Sequence, residues 1–286
     1  MKRLSSREVY LPRLEPGFTL VELTIVLFVV SILIGGMMTM LSTQVDQRNW
    51  NDTQSRLETA RDAILGYAIA NGRLPCPASS TSAGAEVRQI SGVCGASGNT
   101  NEYYGGVVSG VTYGLVPAVT VGYLPVDSQG SAVDGWGKRI RYAVSRVTTQ
   151  ASPPALAANF TNKTSLVTNY RTYLQASGPV LPNDLVVCAS AAGISPGPPG
   201  SCGGVATNSV TNQTTVVAIL YSPGKNGRSS GADETANENP AGANDAVFIS
   251  HPPTPAGAAG GEFDDQVLWI SVGTLYAKLI AAGVLP

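Results

Sequence analysis

A single histidine, His251, stands in a chain of 286 residues, and Pro252 and Pro253 follow it in a loop signature. Histidine metal centres and histidine-driven acid–base catalysis therefore find no residue set here. Charge is scarce as well: 18 Lys and Arg stand against 19 Asp and Glu, a formal net charge of −1. Nucleic-acid binding needs clustered cations facing phosphates. The one tight basic group in the later part of the chain is Lys138, Arg139 and Arg141, so no nucleic-acid partner is expected. No G-x-x-x-x-G-K-[ST] loop and no H-E-x-x-H pair occurs. Asp264 and Asp265 are adjacent, and neighbours on a strand point to opposite faces, so they do not read as a catalytic pair. The sequence does not read as an enzyme.

Cysteine is sparse too, with four residues and no CxxC spacing of a zinc or redox site. Cys76, Cys94, Cys188 and Cys202 form two sequence-local pairs, which suits disulfides in an exported body. Three pairings are available; Cys76–Cys94 with Cys188–Cys202 is the favoured one, each loop contributing roughly 3 kcal/mol in the chain-entropy view. By contrast Gly (32) and Pro (19) are plentiful, which predicts a loop-rich, strand-containing body rather than a helical bundle.

What the sequence does have is one long apolar run at residues 18–41, FTLVELTIVLFVVSILIGGMMTML. At 1.5 Å per residue such a helix covers about 36 Å, against a hydrocarbon core of about 30 Å. Lys2, Arg3, Arg7 and Arg13 precede it, against Glu8 and Glu15, which predicts a cytoplasmic N-terminus and an exported remainder. The run is too long for a secretory h-region, and no A-x-A-like cleavage site follows. A plain signal anchor explains the run but not Glu22, because a carboxylate in an apolar span costs several kcal/mol and marks a functional pairing. Glu22 lies four residues after Phe18, and Pro16-Gly17 break the chain just before it. A cut between Gly17 and Phe18 would create an α-amine one helical turn from this acid.

The string Gly17-Phe18-Thr19-Leu20-Val21-Glu22-Leu23 resembles the prepilin cleavage and methylation motif shared by type IV pilins and type II secretion pseudopilins. That resemblance implies a leader over 1–17, processing at Gly17 and Phe18 by a prepilin peptidase, and an assembly role for Glu22. It implies as partners other pilins or pseudopilins in a homo- or hetero-oligomeric filament, and an inner-membrane assembly platform. The chain would reside in the inner membrane as a single pass with a periplasmic head, then in a filament at the cell surface or in the periplasm.

Past residue 41 the helix is expected to continue as an amphipathic stretch over 42–71. Leu57, Ala60, Ile64 and Ala68 repeat at helical spacing, with Asp52–Arg56 and Glu58–Arg61 as exposed ion pairs. Asn71-Gly72 with Pro75 stop it. The head, 72–286, opens with turn-rich sequence. Gly122-Tyr123-Leu124-Pro125 followed by Asp134-Gly135-Trp136-Gly137 resembles a segment of pseudopilin heads. Strands are predicted near 137–144, 184–189, 215–222, 246–250 and 265–270, with 271–285 as a helix or strand pair and 145–183 as an insertion. Trp136 and Trp269 read as core aromatics. The expected architecture is α+β, a pilin-like lollipop whose long N-terminal helix packs on one antiparallel sheet. Ser31 and Gly35 allow close helix packing, and Gly35-Gly36 suggest unwinding in a filament.

Asp233, Glu234, Glu238, Asp245 and Asp264 concentrate oxygen ligands in a late loop, and Ca2+ is the cofactor they would suit, although the spacing matches no EF-hand. The resemblance adds that the major pseudopilin uses calcium in a comparable loop. Three roles follow: a minor pilin of a type IV pilus, a pseudopilin of type II secretion, or a bitopic periplasmic binding or adhesion protein that does not polymerise.

Overall fold

The computed structural model describes residues 17, 19–90, 92–95, 101–146, 160–168, 170–204, 206–227, 231–238, 245–258 and 260–286, without the side chains of 36–42, 101, 173, 176, 177 and 206. The chain divides into two units, Met1–Gln47 and Arg48–Pro286. Helix α1, Leu20–Asn71, is 52 residues long and contributes to both.

In the first unit no proline interrupts the sequence after Pro16, and the stretch 20–34 is apolar except for Glu22, Thr24 and Ser31. Leu20, Phe28 and Ile34 are all more than half exposed, at 79%, 67% and 51%. Gly35 and Gly36 stay helical, so the unwinding expected there is absent from the single chain. Among the described residues no helix is long and apolar enough to cross a membrane. The span expected over 18–41 includes Phe18 and the side chains of 36–41, which lie outside the described set.

In the second unit the remainder of α1 is amphipathic. Leu57, Ala60, Ile64 and Ala68 are buried. Asp52 pairs with Arg56 at 2.7 Å, but Arg61 pairs with its neighbour Asp62 at 2.9 Å instead of Glu58. The helix ends where Gly72 takes φ +68° and its N–H closes on the carbonyl of Ala68.

The buried face of α1 joins a core formed with a six-stranded antiparallel sheet. Its strands are β1 (Ala78–Ser79), β2 (Gly106–Val108), β3 (Val111–Leu115), β4 (Arg141–Val144), β6 (Val216–Ser222) and β8 (Gln266–Ser271). The order is β1-β3-β4-β6-β8, with β2 also on β3. β6 is central, as its β-branched run predicts. All seven of its residues are buried, and Leu220 pairs with Tyr142 on one side and Leu268 on the other.

The expectation of a single sheet needs correction. β5 (Val186–Cys188) and β7 (Val247–Ile249) form a separate two-stranded parallel pair with its own small core of Val186, Val247, Ile249 and Phe263. Every residue of both strands is buried, so neither shows the alternation of a half-exposed antiparallel strand. The Cys188–Cys202 disulfide, with Cα atoms 5.5 Å apart, ties β5 to the loop that follows it within this small core. Cys76–Cys94, with Cα atoms 5.3 Å apart, is buried in the main core.

The C-terminal stretch resolves as a helix, α6 (Val272–Ala281), because Ser271 caps it by accepting from the N–H of Thr274. In the 145–183 insertion the described part holds a π-turn, Thr164–Thr168, and α4 (Tyr170–Ser177). Phe160, Leu166, Tyr170 and Val180 enter the main core, so the segment is part of the body. The short helices α2 (Asn101–Tyr104) and α3 (Ala118–Val121) flank β2 and β3.

The Asp134–Gly137 turn shows why its residue types are needed. Asp134 Oδ1 accepts from the N–H groups of Trp136 and Lys138, and its Oδ2 from the Ser222 hydroxyl. Gly135 donates to Thr53 on α1, and Arg56 donates to the carbonyls of Val133 and Asp134. A Cβ on Gly135 would stand 2.4 Å from the Asn49 carbonyl oxygen, so glycine lets the turn meet the helix backbone. Gly135→Ala should cost about 1–3 kcal/mol, seen as a lowered Tm at unchanged secondary structure.

Candidate functional site

The first site lies at the start of α1. Gly17 is exposed, while Phe18 lies outside the described residues, as do 1–16. Thr19 precedes the helix and Glu22 sits in its first turn. Glu22 Oε2 accepts from the Thr19 N–H at 3.3 Å and from its hydroxyl at 3.2 Å; the Glu22 N–H donates to Thr19 Oγ1 at 3.2 Å. This reciprocal arrangement is a capping box, T-x-x-E, which satisfies N–H groups that a helix start leaves open. The same carboxylate also lies at the positive end of the helix dipole. Glu22 is therefore engaged within its own chain, a role the sequence pattern carries but that the reading above did not extract. Farther along, Thr24 and Ser31 return their hydroxyls to the carbonyls of Val21 and Leu27, so their polar groups need no partner from elsewhere.

The second site lies in the other unit. Helix α5 (Ala232–Glu238) and the residues before β8 bring Glu234, Asp264 and Asp265 together, with one carboxylate oxygen of each within 4.8 Å of the others. Asp264 and Asp265 precede the strand, so strand alternation does not separate them, and the sequence-based argument against their cooperation fails. Asp265 is the residue missing from the expected set; its position beside Asp264 was the available signal.

Of the other expected ligands, Asp233 accepts from the Ala191 N–H at 2.5 Å and faces His251 Nε2 at 3.2 Å. Asp245 caps the approach to β7 through the Val247 N–H at 2.8 Å. Glu238 is exposed at the end of α5. None of these three joins the group. Part of the expected loop, 228–230 and 239–244, lies outside the described residues.

The surroundings of the three carboxylates are tight. Glu234 is buried and accepts from the Asn226 amide at 3.3 Å and the Asp264 N–H at 3.2 Å. Asp264 Oδ2 accepts from the N–H groups of Lys225 and Asn226, while its Oδ1 is buried without a hydrogen-bond partner. A Cβ on Gly224 would fall 2.0 Å from that Oδ1, so only glycine leaves room for it. Asp265 Oδ2 accepts from Asn237 Nδ2 at 2.8 Å. Burial, reinforced by the neighbouring acids, pushes Asp264 up to about 6 and Asp265 up to about 8. Buried carboxylates this close require a proton or a cation. The donor set is all hard oxygen and includes an oxygen with no protein partner, which fits Ca2+.

Gly193-Ile194-Ser195-Pro196-Gly197 has the spacing of a nucleophile elbow, but Ser195 is bridged to Ser201 rather than set on a strand-to-helix turn. Of the basic group, Arg139 is paired with Asp127 at 2.8 Å.

Residues 13–38 match the family described as the prokaryotic N-terminal methylation motif, the prepilin motif of type IV pilins and pseudopilins. That family consists of structural pilin-like subunits rather than enzymes. No curated protein and no solved structure matches the chain.

Proposed function

We propose that this chain is a minor pilin, processed after Gly17 and assembled from the inner membrane into a type IV pilus-like filament. The observation that carries the reading is Glu22: a carboxylate on the first turn of a helix whose next dozen residues are exposed and, apart from Thr24 and Ser31, apolar. Such a helix seeks either lipid or other helices. The methylation motif at 13–38 supports prepilin peptidase processing, membrane anchoring and assembly with other pilins. The head of more than two hundred residues, with a second sheet and two disulfides, supports a specialised rather than a bulk subunit.

Cutting before Phe18 frees an α-amine beside the helix start. In a filament that amine, or a neighbour's, gives the Glu22 carboxylate a cation in surroundings of low dielectric, where a lone charge is costly. Mass spectrometry of the membrane-extracted chain tests this. A form beginning at Phe18 and heavier by about 14 Da for one methyl group is expected. An intact N-terminus in a host with the peptidase would leave only a tethered periplasmic domain.

A second reading, a pseudopilin of type II secretion, is favoured by the Asp134–Gly137 turn docked on α1 and by the acidic cluster. Under either reading, calcium held by Glu234, Asp264 and Asp265 would stabilise the start of β8 against α5.

A further inference from the structure

The second unit contains an open cleft of about 240 Å3 between the 50–58 stretch of α1, the loop at 250–253 and the start of β8. Sites for drug-sized ligands run from roughly 300 to 1,000 Å3, so this cleft suits one side chain or a small amine. Trp50, Leu57, Pro252 and Leu268 give it apolar walls, and Glu58 and Asp265 line it with carboxylates. Among the described residues no Lys or Arg lines it.

Among the described residues neither carboxylate pairs with a lysine or arginine. The arginine three residues after Glu58 turns to Asp62 instead, and Glu58 is exposed. Asp265 is 6% exposed and takes a hydrogen bond only from the Asn237 amide. Trp50 is half-buried and fixed edge-to-face against Trp136, with ring centroids 6.3 Å apart at 76°. Its backbone carbonyl accepts from the Gln266 amide at 3.1 Å, which ties this turn of α1 to β8. The aromatic wall is thus set before any ligand arrives.

An occupant that suits this lining carries positive charge at its tip and tolerates an apolar wall. An ammonium is compact and strongly hydrated. A guanidinium is planar and weakly hydrated, stacks on indole and grips carboxylates through paired N–H groups. We propose that the cleft is a binding site for a guanidinium group, held between Trp50 and Glu58. The group can come from a free guanidino compound or from an arginine of a neighbouring molecule. Nothing in this depends on the N-terminal helix assembling.

The test is a titration of the full-length, isotope-labelled chain in detergent with N-acetylargininamide, in the presence of a chelator. The Trp50 indole N–H and the amides of 250–253 should shift, with a dissociation constant on the order of 1–10 mM. Glu58→Gln and Trp50→Leu should each weaken binding by about five-fold. Glu58 is exposed, so its variant retains the fold. N-acetylleucinamide should produce no shift. An apparent affinity that falls as the chain is concentrated supports the site and assigns supply to a neighbouring copy. An unchanged affinity also supports it and assigns supply to other molecules. Absent shifts, equal shifts with the leucine derivative, or binding unchanged in both variants would overturn the proposal.

Discussion

Glu22→Ala should leave the chain in the membrane and out of the filament, with assembly reduced below detection while the protein level stays near normal. Two contributions of Glu22 must be separated. The capping box seen at Thr19 is worth about 1 kcal/mol to the start of one helix. A carboxylate paired with an amine in apolar surroundings is another matter, since removing one partner leaves an uncompensated charge at a cost of about 3–5 kcal/mol. That penalty recurs at every subunit contact, so it dominates. Glu22→Gln discriminates between them. A carboxamide can still accept from the Thr19 N–H and hydroxyl, so the helix start is retained, but the charge is gone. If pairing governs assembly, Gln behaves like Ala; if capping governs, Gln assembles nearly as well as Glu. Quantifying filaments sheared from cells carrying each variant reads the difference. A wild-type yield from Glu22→Ala would sink the filament reading.

The capping box also shows what the sequence could convey. Thr19 and Glu22 stand at the spacing of a helix start, yet the carboxylate attracts attention first as a misplaced charge, and its local role needs coordinates to appear. The long helix, the central strand β6 and the stop at Gly72 were readable because their signals are local: period 3.6, a β-branched run, and a residue with positive φ. The parallel pairing of β5 with β7 was not. Val186 and Val247 are about sixty residues apart, and three-residue apolar strands carry no period that distinguishes one sheet from another. Likewise Glu58 and Arg61 have correct spacing for a pair, but the arginine has an equally near acid in Asp62 and takes it.

The acidic cluster illustrates the same limit from the other direction. Composition pointed to a late acidic region, and of the residues expected there Glu234 and Asp264 lie in the group of carboxylates the fold brings together. Membership is decided by tertiary contacts: the α5 turn directs Asp233 to Ala191 and His251, and sends Glu234 inward to the residues before β8. Asp265 enters because the chain is not yet a strand at that point. Gly224 is a further participant that only the geometry reveals, through the space it leaves for Asp264 Oδ1.

Without calcium, the second unit should lose stability as pH rises from 5 to 8, and calcium should offset part of that loss. Asp264 is raised to about 6, Asp245 to about 7 and Asp265 to about 8, each mainly by burial, from an ordinary value of 3.8. A folded state with raised carboxylate pKa values holds more protons than the unfolded chain between pH 4 and 8 or so, and stability therefore falls as pH climbs through that window. Opposing groups act elsewhere. Burial pushes Glu86 up, but Arg73 and the Cys76 N–H outweigh it and hold that carboxyl below its usual value, so its contribution is lost only below pH 5 or so. The window from 5 to 8 thus isolates the raised acids. One pKa unit is about 1.4 kcal/mol, and a domain of this size shifts by about 2–4 °C per kcal/mol, so a fall in Tm well above about 10 °C is expected. Calcium takes the place of the protons on Asp264 and Asp265: at a hundred times its dissociation constant it adds about 2.7 kcal/mol, chiefly at pH 8, where protons compete least. Asp265→Asn, which resembles the protonated acid, should remove Asp265's share of the pH dependence, leaving that of Asp245 and Asp264, and abolish the calcium response together. Thermal unfolding of the full-length chain in detergent, at both pH values with calcium or a chelator, supplies the four numbers required. A calcium shift of equal size at pH 5 and pH 8, or one that survives Asp265→Asn, would separate the ion from these carboxylates.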